Sequence, residues 1–146
     1  MIDIPDAATR IEALNPKKSF IVQAPAGSGK TTLLAMRYLK LLSSVDKPEE
    51  ILAITFTKKA AAEMRSRVLE LLCEEGDISK AALRKDVEKN WQVTNNPNRL
   101  KILTIDALAN EIARQGTADN TTSNYAITDS AERLYLTASE RMFNRL

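Results

Sequence analysis

An α/β fold built on a parallel sheet flanked by helices is predicted by three observations. Short apolar runs at residues 19–23, 51–56 and 101–105 alternate with longer stretches of helical periodicity. The runs are mostly continuous in apolar character, as in strands covered on both faces, and do not alternate apolar with polar. Between the first run and the first long helix lies a small-residue turn, and the return to the second run is short, which favours a right-handed parallel crossover.

The elements follow in order. Residues 6–14 place Ala7, Ile11 and Leu14 at helical spacing, and Asn15-Pro16 stops that helix. Residues 19–23 are the first strand. In residues 31–42, Leu33, Leu34, Met36, Leu39, Leu41 and Leu42 spread around much of a helix, which predicts burial on several sides. A polar connection, 43–50, leads to the second strand at 51–56. Thr57 is placed to cap the next helix, whose Met64, Val68, Leu71 and Leu72 form a stripe facing the sheet, and Glu74-Glu75-Gly76-Asp77 ends it. Residues 79–92 predict a charged, weakly amphipathic helix with Ala82, Val87 and Trp91 as its apolar contacts, Trp91 being a core residue and not a ligand platform. The turn Asn95-Asn96-Pro97-Asn98 precedes the third strand, 101–105, and a helix at 107–114. Residues 115–124 read as a surface loop, and Asp129 with Glu132 gives a capping-box start to a last helix.

Composition bounds the chemistry. The 146 residues carry a net charge of only +2, so any claim about nucleic acid has to come from where the charges lie. There is no histidine, which excludes a Ser-His-Asp triad and histidine metal sites within this chain. The single cysteine, Cys73, makes no internal disulfide and reads as helix packing beside Leu71 and Leu72. No apolar stretch approaches a membrane span, and the N-terminus lacks the basic start and apolar core of a signal peptide, so the expected address is cytoplasmic.

The turn Ala24-Pro25-Ala26-Gly27-Ser28-Gly29-Lys30-Thr31 has the context a phosphate-binding loop requires, with a strand before it and a helix after it. Small residues keep Cβ atoms away, so successive N–H groups can converge on phosphate oxygens beside the helix N-terminus. Lys30 would reach the β- and γ-phosphates, and Thr31 would offer its hydroxyl to Mg²⁺. One position departs from the Gly-x-x-x-x-Gly-Lys-Thr pattern, Ala24 standing where the first glycine would be.

Hydrolysis needs more, above all a carboxylate at a neighbouring strand end. Ile102-Leu103-Thr104-Ile105-Asp106 offers the one strand that ends in an acid. Asp106 is either that Mg²⁺ carboxylate or a helix N-cap; the cap is the favoured reading, because no second acid follows it. The second strand ends in Thr55-Phe56-Thr57-Lys58-Lys59, at the sheet edge where ligands of open parallel sheets bind. A ring on which a base stacks, worth roughly 1–3 kcal/mol, with hydroxyls and cations for phosphates, suits single-stranded nucleic acid. Residue types alone leave Lys58, Lys59, Arg65 and Arg67 equally readable as a solvated helix face.

These motifs, residues 24–31, then Ile51-Leu-Ala-Ile-Thr-Phe-Thr-Lys-Lys-Ala-Ala-Ala-Glu-Met-Arg-Ser-Arg67, then Leu103-Thr-Ile-Asp-Ala-Leu108, with a weaker Tyr125-Ala-Ile-Thr-Asp129, resemble a known family. They look like the N-terminal part of the first motor domain of superfamily 1 DNA helicases of the UvrD/Rep type, most like the RecB/AddA exonuclease-associated branch. The resemblance implies a partial RecA-like P-loop NTPase domain over residues 1–116, with 117–146 leading into a helical subdomain. It implies ATP and Mg²⁺ held by Ala24, Pro25, Ala26, Gly27, Ser28, Gly29, Lys30, Thr31 and Thr32, with Lys30 and Thr31 catalytic and Thr31 on the metal. It implies a DNA track along Thr55, Phe56, Thr57, Lys58 and Lys59 that continues through Thr104 and Asp106. In a parent of this kind, DNA repair, a nuclease activity and a partner subunit of a helicase–nuclease complex are expected.

Two departures stand out. Many relatives carry an adenine-reading glutamine after Leu-Asn-Pro, where Lys17 and Lys18 follow here. Where UvrD-like proteins have Thr-Phe-His-Ser-Phe, this chain has Thr104-Ile105-Asp106-Ala107-Leu108. Family members run on into an Asp-Glu motif and a second motor domain with arginine fingers, so the chain is expected to be a fragment that binds nucleotide and, weakly, DNA without useful turnover. The other readings are a self-contained P-loop phosphotransferase using Asp106 for Mg²⁺ and a non-catalytic interaction module.

Overall fold

The computed structural model of the chain describes residues 6–115 and 131–143. They form two units that divide between Leu108 and Ala109. In the first, α1 (Ala7–Ala13) precedes the small-residue turn and α2 (Lys30–Leu42) follows it. A 3₁₀ turn, Pro48–Glu50, opens β1 (Leu52–Thr55), and then come α3 (Lys58–Cys73) and α4 (Asp77–Glu88). A second 3₁₀ turn, Pro97–Arg99, opens β2 (Lys101–Thr104), which runs directly into α5 (Ile105–Gln115). The second unit holds the rest of α5 and α6 (Glu132–Phe143), whose described side chains are exposed.

β1 and β2 pair in parallel, from Leu52 beside Lys101 to Thr55 beside Thr104. Parallel neighbours require a crossover, and α3 with α4 supplies it. α2, α3 and α4 pack on one another, and α3 covers one face of the sheet. Leu39, Leu42, Val68, Leu100 and Ile102 lose essentially all contact with solvent there, each contributing roughly 1.5–3 kcal/mol of burial. The stripe expected on α3 is buried as Met64, Val68, Leu71 and Leu72, joined by Ala61. Beyond α4, Asn90 and Gln92 take positive φ, 51° and 56°, and this left-handed turn swings Trp91 into the core. Its indole donates to the Asp46 carbonyl at 3.2 Å, as a buried Trp N–H requires.

Several expectations are corrected. Residues 19–23 carry no strand pairing, and Ile21 is 99% exposed. A strand exists only through a neighbour that takes its N–H and C=O groups, and among the described residues none lies beside this run. Ile11 of α1, Leu34 of α2 and Val87 of α4 point outward. Each lies on a helix that buries a narrower stripe than its apolar content suggested; α1 buries only Ala13. Cys73 is exposed at the last position of α3, on the solvent side of the turn whose other face buries Leu71 and Leu72. Residues 116–130 lie outside the described residues, so the expected 115–124 loop beyond Gln115, the Tyr125–Asp129 match and the Asp129 cap are not described.

Candidate nucleotide and nucleic-acid site

The small-residue turn wraps onto the start of α2. Gly27 and Gly29 take φ of 77° and 78°, which L side chains rarely adopt, and the first helical bond runs from Leu33 N to Gly29 O at 3.0 Å. Left-handed residues in such a turn let successive N–H groups face one side and form an anion-binding concavity. The Lys30 ammonium folds back across the turn and donates to the carbonyls of Ala24 and Pro25. The Ser28 hydroxyl is buried with no hydrogen-bond partner. Backbone donors, an ammonium and an orphaned hydroxyl around a glycine turn are a donor set that suits phosphate oxygens.

A cavity of about 240 Å³ adjoins the turn, lined by Arg10, Phe20, Gln23, Ala24, Ser28 and Lys30 among others. Arg10 lies in its wall, and Arg37 holds the Phe20 ring that also lines it. Arg10 of α1 donates from Nε to Asp6 at 2.9 Å and from Nη2 to the Ser28 carbonyl at 2.9 Å. The same guanidinium holds the Asp6 carboxyl below its ordinary range, and Asp6 in turn raises Arg10. Arg37 of α2 donates to the carbonyls of Ala13, Asn15 and Lys18, and its guanidinium lies 5.2 Å from the centroid of the Phe20 ring. The Leu14-Asn15-Pro16 turn is thereby fastened to α2. Lys18 pairs with Glu12 at 2.9 Å. The spacing of Asp6 and Arg10, one helical turn apart, could have signalled the first arginine; a cation within the apolar run of α2 was the sign of the second.

Thr31 and Thr32, in the first turn of α2, line a groove with Lys59, Glu63, Ser66 and Arg67 of α3. Lys59 pairs loosely with Glu63 at 3.9 Å. Among the described residues no cluster of three metal-ligating side chains exists. A Mg²⁺ ion here would therefore rest on Thr31, phosphate oxygens and water, an arrangement this hard cation accepts.

The strand-end residues lead into that groove. Thr57 caps α3, its hydroxyl accepting from Ala60 N at 3.1 Å, as expected. Thr55 donates from its hydroxyl to Thr57 O at 3.1 Å, so the chain turns sharply between them and leaves Phe56 89% exposed. Lys58 is exposed in the first turn of α3. Thr104, in register with Thr55, is buried, and its hydroxyl accepts from Ala107 N at 3.2 Å. The capping role expected of Asp106 thus falls to Thr104. The helix begins at Ile105, directly from the strand, so Asp106 stands inside the first turn, where a carboxylate complements the helix dipole. The start of α2 and the start of α3 face each other, since Thr31, Thr32 and Lys59 share one groove.

Comparison with known proteins gives this arrangement a family. The profile described as the UvrD/REP helicase N-terminal domain matches residues 6–145. The chain is 38% identical over 95 residues to a Lactobacillus acidophilus protein named as a subunit of an ATP-dependent helicase/nuclease, covering 65% of this chain and 8% of that protein. It is 38% identical over 106 residues to a protein of the same name in Desulfitobacterium hafniense, covering 70% and 8%. To the "Probable DNA helicase II homolog" of Mycoplasma pneumoniae it is 49% identical over 55 residues, covering 37% and 8%. The chain thus matches about 8% of the length of each of these relatives. With the profile running through nearly every residue that builds the fold and its edge, the chain belongs to the UvrD/REP helicase N-terminal domain family.

Proposed function

We propose that this chain is part of an ATP-dependent DNA helicase or translocase, with the turn at 24–32 holding Mg-ATP and the neighbouring strand ends holding single-stranded DNA. The observation that supports the reading is the groove that Thr31 and Thr32, at the end of the small-residue turn, share with Lys59, three residues after the exposed ring of Phe56. The relatives' names, which join helicase and nuclease and speak of a subunit, support a parent that works within a complex of more than one chain; a role in DNA repair is part of the proposal. No described helix is long and apolar enough to cross a membrane, and a cytoplasmic address follows from the proposed substrate.

The residues divide the work. N–H groups around Gly27 and Gly29 take the phosphate oxygens; Lys30 exchanges its carbonyl partners Ala24 and Pro25 for the β- and γ-phosphates. Thr31 would hold Mg²⁺, which neutralises the developing charge on the transferred phosphoryl group. Phe56 stacks a base, while Thr55, Thr57, Lys58 and Lys59 line the course of the sugar-phosphate chain, and the buried Thr104, expected on that track, lies behind it and caps α5. Asp106, in the first turn of α5, sets a negative boundary to that track. In this reading the water-activating and transition-state groups that hydrolysis needs come from the rest of a longer parent, and the chain alone binds nucleotide without useful turnover.

Two measurements test this. ATP binding should weaken by about 2 kcal/mol or more in Lys30→Ala, while robust hydrolysis by this chain, lost in that variant, would overturn the division of labour. Oligo-dT binding should fall with added salt and lose about 1–3 kcal/mol in Phe56→Ala. Phosphorylation of an added small molecule with indifference to DNA would instead mark a self-contained phosphotransferase, a reading against which the family match weighs.

A further inference from the structure

We infer that Arg10 is a positioning residue of the phosphate turn, bracing it through the Ser28 carbonyl and fixing the direction of the Gly29 amide. The inference rests on the nucleotide reading for its consequence, but its geometry stands apart from it. Arg10 Nη2 donates to the Ser28 carbonyl at 2.9 Å. That carbonyl belongs to the same peptide unit as the Gly29 N–H, and no peptide bond among the described residues is cis. In a trans peptide the C=O and the N–H point in opposite directions. Holding the oxygen of Ser28 on α1 therefore turns the hydrogen of Gly29 away from α1, into the turn. Arg10 Nη1 lies 3.5 Å from where a Cβ on Gly29 would be, so the guanidinium also backs the glycine that carries the left-handed bend. Asp6 completes the brace. Its carboxylate accepts from Arg10 Nε at 2.9 Å and so orients a side chain that would otherwise sample many rotamers. Ala24 and Pro25 are held by Lys30, but Lys30 has to change partners when phosphate arrives; the Arg10 bond to Ser28 does not.

The test uses amide hydrogen exchange in the nucleotide-free chain together with ATP and ADP affinity. In Arg10→Ala, exchange at residues 27–31 should accelerate while the melting midpoint holds, and ATP and ADP should weaken alike, by about tenfold. Arg10→Lys should recover part of both effects, because an ammonium can reach the Ser28 carbonyl but cannot fork to Asp6 at the same time. Unchanged exchange at Gly29 in Arg10→Ala would overturn the inference, as would equal loss in the Ala and Lys variants. If Arg10→Ala fails to fold, Asp6→Asn keeps the guanidinium and loosens its anchor; faster exchange at the turn supports the brace and unchanged exchange overturns it. If the unmodified chain binds no ATP while exchange at Gly29 still depends on Arg10, the nucleotide reading fails and the brace stands.

Discussion

Thr104 and Asp106 show how a local signal can be read one step too late. An acid at the end of an apolar run, followed by Ala-Leu-Ala, has the look of an N-cap, yet the strand passes into α5 without a connecting residue and the cap moves back to Thr104. The two positions make separable predictions. Thr104→Ala should cost about 1 kcal/mol in a urea melt, because a buried hydroxyl that satisfies Ala107 N is lost. Asp106→Ala removes a favourable charge from a first turn, which by itself is worth about 0.3–1 kcal/mol in the same melt. Thr57, by contrast, is legible: a β-region threonine before a run of helix formers caps α3 as its sequence predicts. Lys30 and the left-handed glycines are equally legible, since their identities are dictated by backbone chemistry at the turn itself. Arg10 and Arg37 are not, because each acts on carbonyls distant in sequence, Ser28 for the one and 13–18 for the other.

Elements are legible to the extent that they carry their own partners. α2, α3 and the β1–β2 pair lie close to their expected bounds, since a helix satisfies its own backbone and these two strands find each other. The apolar run at 19–23 is not a strand, because pairing is a property of two segments and not of one. The register of the pair that does form is fixed by the 3₁₀ turns ahead of it. Arg99 grips Glu49 through Nε at 2.7 Å and Nη2 at 3.2 Å, and its third nitrogen reaches the Trp91 carbonyl at 3.0 Å. Arg99 holds the Glu49 carboxyl below its ordinary value of 4.5. A depressed carboxylate contributes stability that is fully present above that value and is lost as pH falls through the folded-state pKa. Both partners are about one-third exposed, so solvent screens the pair. Glu49→Gln should therefore destabilise by no more than about 1 kcal/mol at neutral pH, and the gap between the two proteins should close in acid melts below pH 4.5.

For the molecule as a whole, the core and the outer surface behave differently. α2, α3 and α4 enclose an apolar interior, yet Leu52 and Ile54 on the other face of the sheet are 48% and 50% exposed, and Ile21 and Phe56 are more exposed still. Exposed apolar side chains of this kind invite association between copies. Light scattering of the isolated chain should rise with concentration, and Ile21→Lys combined with Ile54→Thr should suppress it without lowering the melting midpoint.

The seam between α2 and α3 governs one more thing. Ala35, Tyr38, Leu39 and Leu42 share a buried cluster with Ala61, Met64, Val68, Leu71 and Leu72, and a close-packed interior has almost no slack with which to absorb a displacement. Both helices begin beside the same groove, so their common seam sets the gap between Thr31 and Lys59. A push of a few tenths of an ångström on the first turn of one helix arrives at the first turn of the other, which makes the pair a short, stiff coupling rod.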